Sequence, residues 1–379
     1  MVSTVSQPVP GDGEDTAVHG TFEGYPVIQV EVNGQKVEGD VPAVNLSDRT
    51  MVPLRFVSEA MGAVIGWDGE TYTALVETGE IEVMDLLFSE SHWEEVVNLA
   101  YSPDGDTIAV GAREVDLYSV SNRQIFASGS DMDYGDRPES RSMSFFPDGS
   151  VLAAAWRGVS FHDATDLSKL AHFHGGGEAR IAVSPDATML ASHETQLSGE
   201  LLLWEKTGEL EYEQVAQFNP DADMIHDVAF SPDGQLVAGG FRDGVIMLWD
   251  TETHSLEGEI AFDSTGGNFN LTFSPDGKML AASEPDLGSE IHLVNLEDGS
   301  RQVLDPESRV WSMEFSPEGD KLAYGTTDGD VVVLDTGNWS VQHSKEHEDR
   351  IEGLVFSPDG KNLAIASDAV LYYYEFVEE

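Results

Sequence analysis

One short string, repeated, constrains this chain more than anything else in it. Ser-Pro-Asp-Gly or a close variant occurs at Ser102-Pro103-Asp104-Gly105, Phe146-Pro147-Asp148-Gly149, Ser184-Pro185-Asp186-Ala187, Ser231-Pro232-Asp233-Gly234, Ser274-Pro275-Asp276-Gly277, Ser316-Pro317-Glu318-Gly319 and Ser357-Pro358-Asp359-Gly360. Successive prolines are 44, 38, 47, 43, 42 and 41 residues apart. Pro presets φ, Asp bonds the local backbone and Gly accepts positive φ, so each copy is a turn. An apolar segment precedes each turn, as in Val228-Ala229-Phe230, and another follows, as in Leu236-Val237-Ala238. A third run, Val245 to Asp250 in the fourth unit, and a more polar fourth, Leu256 to Phe262, complete the period. These are strand-length runs separated by turn residues.

Four short strands per ~42 residues match a β-propeller blade, which buries its two faces only by stacking in a closed ring. About residues 81–377 resemble the WD-repeat family, best at Phe230 to Asp250 and in the seventh unit after Glu346-His347-Glu348-Asp349. The fold expected is mainly β: a seven-bladed WD-repeat-like β-propeller over 81–379 with a small α+β N-terminal domain. The family's third-strand Trp survives as Trp204 and Trp249; Tyr118, His162, Val294, Leu334 and Tyr374 take the equivalent places. The family's Asp–His–Ser/Thr–Trp network is nowhere complete. By the same resemblance Thr326 and Asp328 in the sixth unit, and His347, Ser367 and Asp368 in the seventh, are bracing residues. The seventh unit lacks a fourth strand after Val370 to Phe376, so Ile81 to Phe88 is expected to supply it and close the ring.

Residues 1–21 read as a flexible acidic lead rich in Pro, Gly, Ser and Thr. Residues 22–80 differ from the repeats. Val27 to Val32 reads as a strand turning at Asn33-Gly34. Pro53 opens a helix over Leu54 to Met61 with Gly62 as its cap. Ala63 to Trp67 and Tyr72 to Val76 form a second hairpin. The string Asp48 to Arg55, followed by Glu59-Ala60-Met61-Gly62-Ala63 and Trp67-Asp68, resembles the copper amine oxidase N-terminal-like domain. In that family the module is a non-catalytic stalk without copper, common on exported and envelope proteins. The resemblance implies an extracellular or cell-envelope location; the alternative is cytoplasmic.

Charge narrows the partners. Of 379 residues 70 are acidic and 19 basic, a net charge of −51. Such a surface repels phosphate backbones and anionic lipid heads, so nucleic acid and membrane insertion are not expected. No apolar run reaches membrane-helix length. The excess of carboxylates reads as halophilic, an acidic protein whose self-repulsion salt must screen. With no cysteine, disulfides, thiolate metal sites and thiol nucleophiles are excluded.

No nucleophile, acid–base pair or phosphate loop stands out, so the expected function is a non-enzymatic scaffold that binds a protein or envelope-polymer partner as a monomer. The alternative is a propeller-based enzyme, or a Ca-dependent or carbohydrate-binding module with Trp93, Phe269 and Trp311 as stacking surfaces. His172-Phe173-His174 has metal-pair spacing on a strand, but a third ligand is missing. His174-Gly175-Gly176-Gly177 resembles an esterase oxyanion string without its nucleophile elbow. Asp131, Asp133 and Asp136 have alternate-position spacing that suits Ca²⁺, the one cofactor weighed, although 70 acids make that spacing common. Six residues before the turn proline, successive units place His226, Phe269 and Trp311, which form either an aromatic docking patch at the top of the ring or side chains packed against the next blade. Arg141 holds the same place in the second unit and is a candidate contact for a ligand carboxylate.

Overall fold

The computed structural model describes in full residues 84–91, 96–112, 114–129, 142–155, 158–172, 180–193, 199–218, 225–262, 269–283 and 289–377; elsewhere it describes only the backbone of strands. The repeated turn folds as its chemistry dictates. In the fourth copy, Ser231 Oγ donates to Asp233 Oδ1 (2.6 Å) and accepts the Leu236 N–H (2.9 Å), while the Gly234 N–H closes on the Ser231 carbonyl (2.8 Å). Gly234 has φ 72°. The sixth copy has Glu318 in place of Asp, and Asp320 takes over the serine hydroxyl (2.7 Å).

Every turn joins the innermost and second strands of a four-stranded antiparallel sheet, and there are seven such sheets. The innermost strands, in order, are Asn98–Tyr101, Ser142–Phe145, Ile181–Val183, Ile225–Phe230, Asn270–Phe273, Val310–Phe315 and Ile351–Phe356. Each lies beside the next, and the seventh lies beside the first. The blades thus form a closed ring around a central channel. Blade 7 is completed from upstream: its sheet runs Glu82–Glu90, Val370–Glu378, Asn362–Ser367, Ile351–Phe356 from rim to axis. This is the closing strand the missing fourth run calls for. Phe88 on it stacks on Tyr373 of blade 7 (4.7 Å) and on Tyr118 of blade 1 (5.7 Å).

The core is distributed over the seams. One apolar cluster joins blade 1 to blade 7 through Val96, Leu99, Ile108, Tyr118, Val355 and Leu371. Another joins blades 3 and 4 through Leu201, Phe218, Ile225, Phe241 and Trp249. A blade has no core of its own, which is why the ring must close.

The chain divides into two units, the larger comprising Met84–Trp339 and His343–Phe376 and the smaller taking in Met1–Val83. In the smaller, Val30–Val32 and Gln35–Val37 pair across Asn33-Gly34, and Ala63–Asp68 pairs with Thr73–Thr78, both as the turn residues require. Val2–Val5, rich in β-branched residues that suit a strand, pairs with Thr73–Thr78. Another sheet runs Thr21–Phe22, Tyr25–Ile28, Ala43–Leu46, Arg49–Met51. The helix expected over Leu54 to Met61 lies outside the described residues.

Candidate functional site

The start of each innermost strand carries a polar residue, five places before the turn proline: Asn98, Ser142, Arg180, Asp227, Asn270 and Ser312, with Gly353 in the seventh blade. Five of these side chains reach from one blade to the next. Ser142 Oγ donates to the Ile181 carbonyl (2.8 Å) and accepts its N–H (3.2 Å). Arg180 Nη1 bonds Asp227 Oδ1 (3.2 Å), and Asp227 Oδ2 accepts the Leu271 N–H (2.9 Å). Asn270 Nδ2 donates to the Val310 carbonyl (3.5 Å), and Ser312 Oγ accepts the Leu354 N–H (3.2 Å). Five successive junctions are stitched this way.

The stitching sets the electrostatics around the channel. Burial pushes the Asp227 carboxyl up, against the pull of the Arg180 guanidinium and of the Leu271 and Val228 N–H groups. His193 accepts the Arg180 backbone N–H on Nε2 (3.3 Å) and is 2% exposed; burial lowers its imidazole to about 3, so it is neutral. Two residues further along the blade 6 strand, Glu314 Oε2 accepts the Phe356 N–H (2.7 Å), and burial pushes its carboxyl up to about 8.

At the mouth between blades 6 and 7, the Arg350 guanidinium lies 4.5 Å above the Trp311 ring. Its Nε donates to Glu352 Oε1 (2.7 Å), and Nη2 bonds the same oxygen. Trp311 is half-buried and the Arg350 side chain is 40% exposed. His226 is half-buried beside Asp227. Phe269 is 1% exposed and packs on Phe262 (5.6 Å) and against Gly240 of blade 4. A Cβ at Gly240 would come 2.6 Å from the Phe269 Cβ, so the glycine is the seat of that ring. Of the two readings of this column, Phe269 takes the packing one, in the seam between blades 4 and 5, while Trp311 carries the Arg350 guanidinium. Arg141, Asp131, Asp133 and Asp136 lie outside the described residues, as does Trp93. Among the described residues no three His, Asp or Glu side chains converge as metal ligands. No helix among them is long and apolar enough to cross a membrane.

Comparison with known proteins places this geometry. The copper amine oxidase N-terminal domain family matches residues 28–84, and the WD domain, G-beta repeat family matches residues 212–250 and 339–375. The chain is 32% identical over 180 residues to WD repeat-containing protein SL1-17 of Schistosoma mansoni, covering 45% of this chain and 56% of that one. It is 30% identical over 209 residues to WD repeat-containing protein 1 of Mus musculus (52% and 32%), and 21% over 317 residues to Periodic tryptophan protein 2 of Arabidopsis thaliana (83% and 29%). The matches thus span between about a third and just over half of these relatives. The chain thus holds a seven-bladed β-propeller with matches to the WD repeat, and ahead of it a segment that matches the copper amine oxidase N-terminal domain family.

Within the WD-repeat frame, the bracing residues take particular forms. Trp204 Nε1 donates to Ser192 Oγ (2.9 Å). Trp249 stacks on Phe218 (4.7 Å) and meets Phe241 edge-on (6.1 Å). Thr326 Oγ1 accepts the Asp330 N–H (2.9 Å) and donates to Asp330 Oδ2 (3.4 Å). The exposed Asp328 sits in the turn between them, so the bracing carboxylate of blade 6 is Asp330. His347 packs against the rings of Tyr372 (4.4 Å) and Tyr374 (5.9 Å), and burial lowers its imidazole. Ser367 Oγ donates to the Asp349 carbonyl (2.9 Å). Asp368 is exposed at φ 50°, and its carbonyl accepts the Val96 N–H (2.7 Å), tying blade 7 to blade 1. The polar column five before each proline escaped the sequence reading, which weighed the bulkier column beside it. Its signal is present: six of its seven members are polar at the start of otherwise apolar strands.

Proposed function

We propose that this propeller is a non-enzymatic interaction scaffold that binds a protein partner at the channel mouth where Trp311 and Arg350 stand. The observation that carries this reading is the half-buried Trp311 with a guanidinium stacked on it, set on a rigid, closed ring. An aromatic and an arginine at such a place concentrate binding energy in a few contacts. The relatives' names, which say WD repeat-containing, support a protein-binding scaffold in general. Recognition of an envelope polymer, an extracellular or envelope location and a monomeric state are the finer parts of the proposal. The N-terminal match supports the location, since that module is common on exported proteins.

A photo-reactive phenylalanine at 311, compared with one at the exposed rim residue Leu256, tests the reading. Discrete adducts at 311 but not at 256, lost on competition with unlabelled protein but not with its Trp311→Ala variant, are expected. That variant should melt within about 6 °C of the parent, the loss expected for truncating a half-buried aromatic in a chain of this length. Equal labelling at both positions, or a collapse of stability in Trp311→Ala, overturns it.

A further inference from the structure

Glu314 is a carboxyl group placed in the channel wall without a cation among the described residues. Three places before each turn proline the innermost strands carry Ala100, Ser144, Ala182, Ala229, Thr272 and Val355; the seventh member of the tier is Glu314. Its blade packs between two others, so the solvent that reaches this half-buried side chain comes from the channel. The other members of the tier are small or β-branched side chains.

A second carboxylate in the same wall shows what is missing. Asp227 accepts a backbone N–H from the next blade, as Glu314 does, and also pairs with Arg180 at 3.2 Å. Glu314 has the backbone donor, Phe356 N–H at 2.7 Å, and among the described residues no charged side chain pairs with it. Burial pushes its carboxyl up, against the pull of that N–H. Arg350, on the same side of the ring, pairs with Glu352. A carboxylate held off solvent is stabilised when an opposite charge is brought to it, and a net charge of −51 raises the local concentration of cations at the channel.

We propose that the channel beside Glu314 is a binding site for an organic cation, an alkylammonium group on a slender stem such as a lysine side chain. The ammonium takes the position towards Glu314 that Arg180 takes towards Asp227. This deepens the reading of the mouth as a recognition surface, and it supplies the charge chemistry of the partner.

Binding then displaces the proton that Glu314 carries at neutral pH. Titration calorimetry of the full chain with acetyl-Ala-Lys-Ala-amide, repeated in buffers of different ionisation enthalpy, should show about one proton released per ligand at pH 7. Affinity should rise about tenfold per unit from pH 6 towards 8 and level off above. The norleucine analogue should not bind. Glu314→Gln keeps an oxygen for the Phe356 N–H, so it should melt like the parent, bind at least tenfold more weakly and lose the pH dependence. n-Butylamine separates the sources: binding equal to the peptide means that the free ammonium suffices, and binding by the peptide alone means that its carrier contributes; either supports the site. Equal binding by Glu314→Gln or by the norleucine peptide overturns the proposal, as does no binding between pH 6 and 9 to folded protein. Loss of cross-linking at 311 with this binding intact would sink only the scaffold reading.

Discussion

If the segment before the first repeat fastens the ring, removing one ring from it should loosen the whole propeller. Phe88→Ala is the test. Phe88 stacks on Tyr373 at 4.7 Å and on Tyr118 at 5.7 Å, and the Arg123 guanidinium lies 5.1 Å over it. Truncating a fully buried Phe costs about 3–5 kcal/mol, and Phe88 is half-buried, so about 2 kcal/mol follows from packing. Each aromatic pair adds about 0.5 kcal/mol or more. The sum is about 3 kcal/mol, and at roughly 2 °C per kcal/mol for a chain of this length the melting temperature should fall by about 6 °C. Leu86→Ala on the same strand, 47% exposed, should change it by about 1 °C at most. Calorimetry of both variants decides the matter. If Phe88→Ala melts with the parent, or no lower than Leu86→Ala, the strand is an ornament on blade 7 and the ring is fastened elsewhere.

Ser231→Ala removes the hydroxyl that serves both Asp233 and the Leu236 N–H inside a turn 2% exposed at Ser231. It should cost about 1–3 kcal/mol, read as a lower urea midpoint at unchanged slope; an unchanged midpoint would mean that the hydroxyl is idle. The turn carboxylates Asp104, Asp233, Asp276 and Asp359 are each held below the usual range, first by their serine hydroxyl. Folded values below unfolded ones stabilise above the unfolded pKa, so stability from this source should hold above about pH 4 and fall below it; urea midpoints flat from pH 5 to 2.5 would contradict that. With −51 charges, the melting temperature should rise from dilute buffer to molar salt, where the screening length is about 3 Å. A fall or no change would show that self-repulsion does not limit the fold.

What could be read from the sequence was what the turn enforces. Seven proline turns at near-constant spacing define seven two-strand corners, and a unit one strand short demands a donor, so both the blade number and Glu82–Glu90 as the closing strand were legible. Position within a seam was not. The column that holds Phe269 and Trp311 leaves docking and seam packing both open; for Phe269 the choice is made by Gly240, a residue in the neighbouring blade. Asp328 and Asp330 both follow Thr326 in a short turn, and only the backbone geometry selects the one that bonds it.

The polar column has a deeper reason. Each innermost strand is the edge of its sheet, and an edge presents N–H and C=O groups with no strand to receive them. Around a channel those groups are partly withdrawn from water, so they need partners. Neighbouring blades do not pair edge to edge here. Instead Ser142, Asp227 and Ser312 each accept an N–H of the next blade, those of Ile181, Leu271 and Leu354. The same requirement accounts for Glu314 on the Phe356 N–H. A serine or asparagine meets it without charge. A carboxylate meets it too, but its charge must be answered: by Arg180 for Asp227, and for Glu314 by the proton it holds at neutral pH unless a cation takes its place.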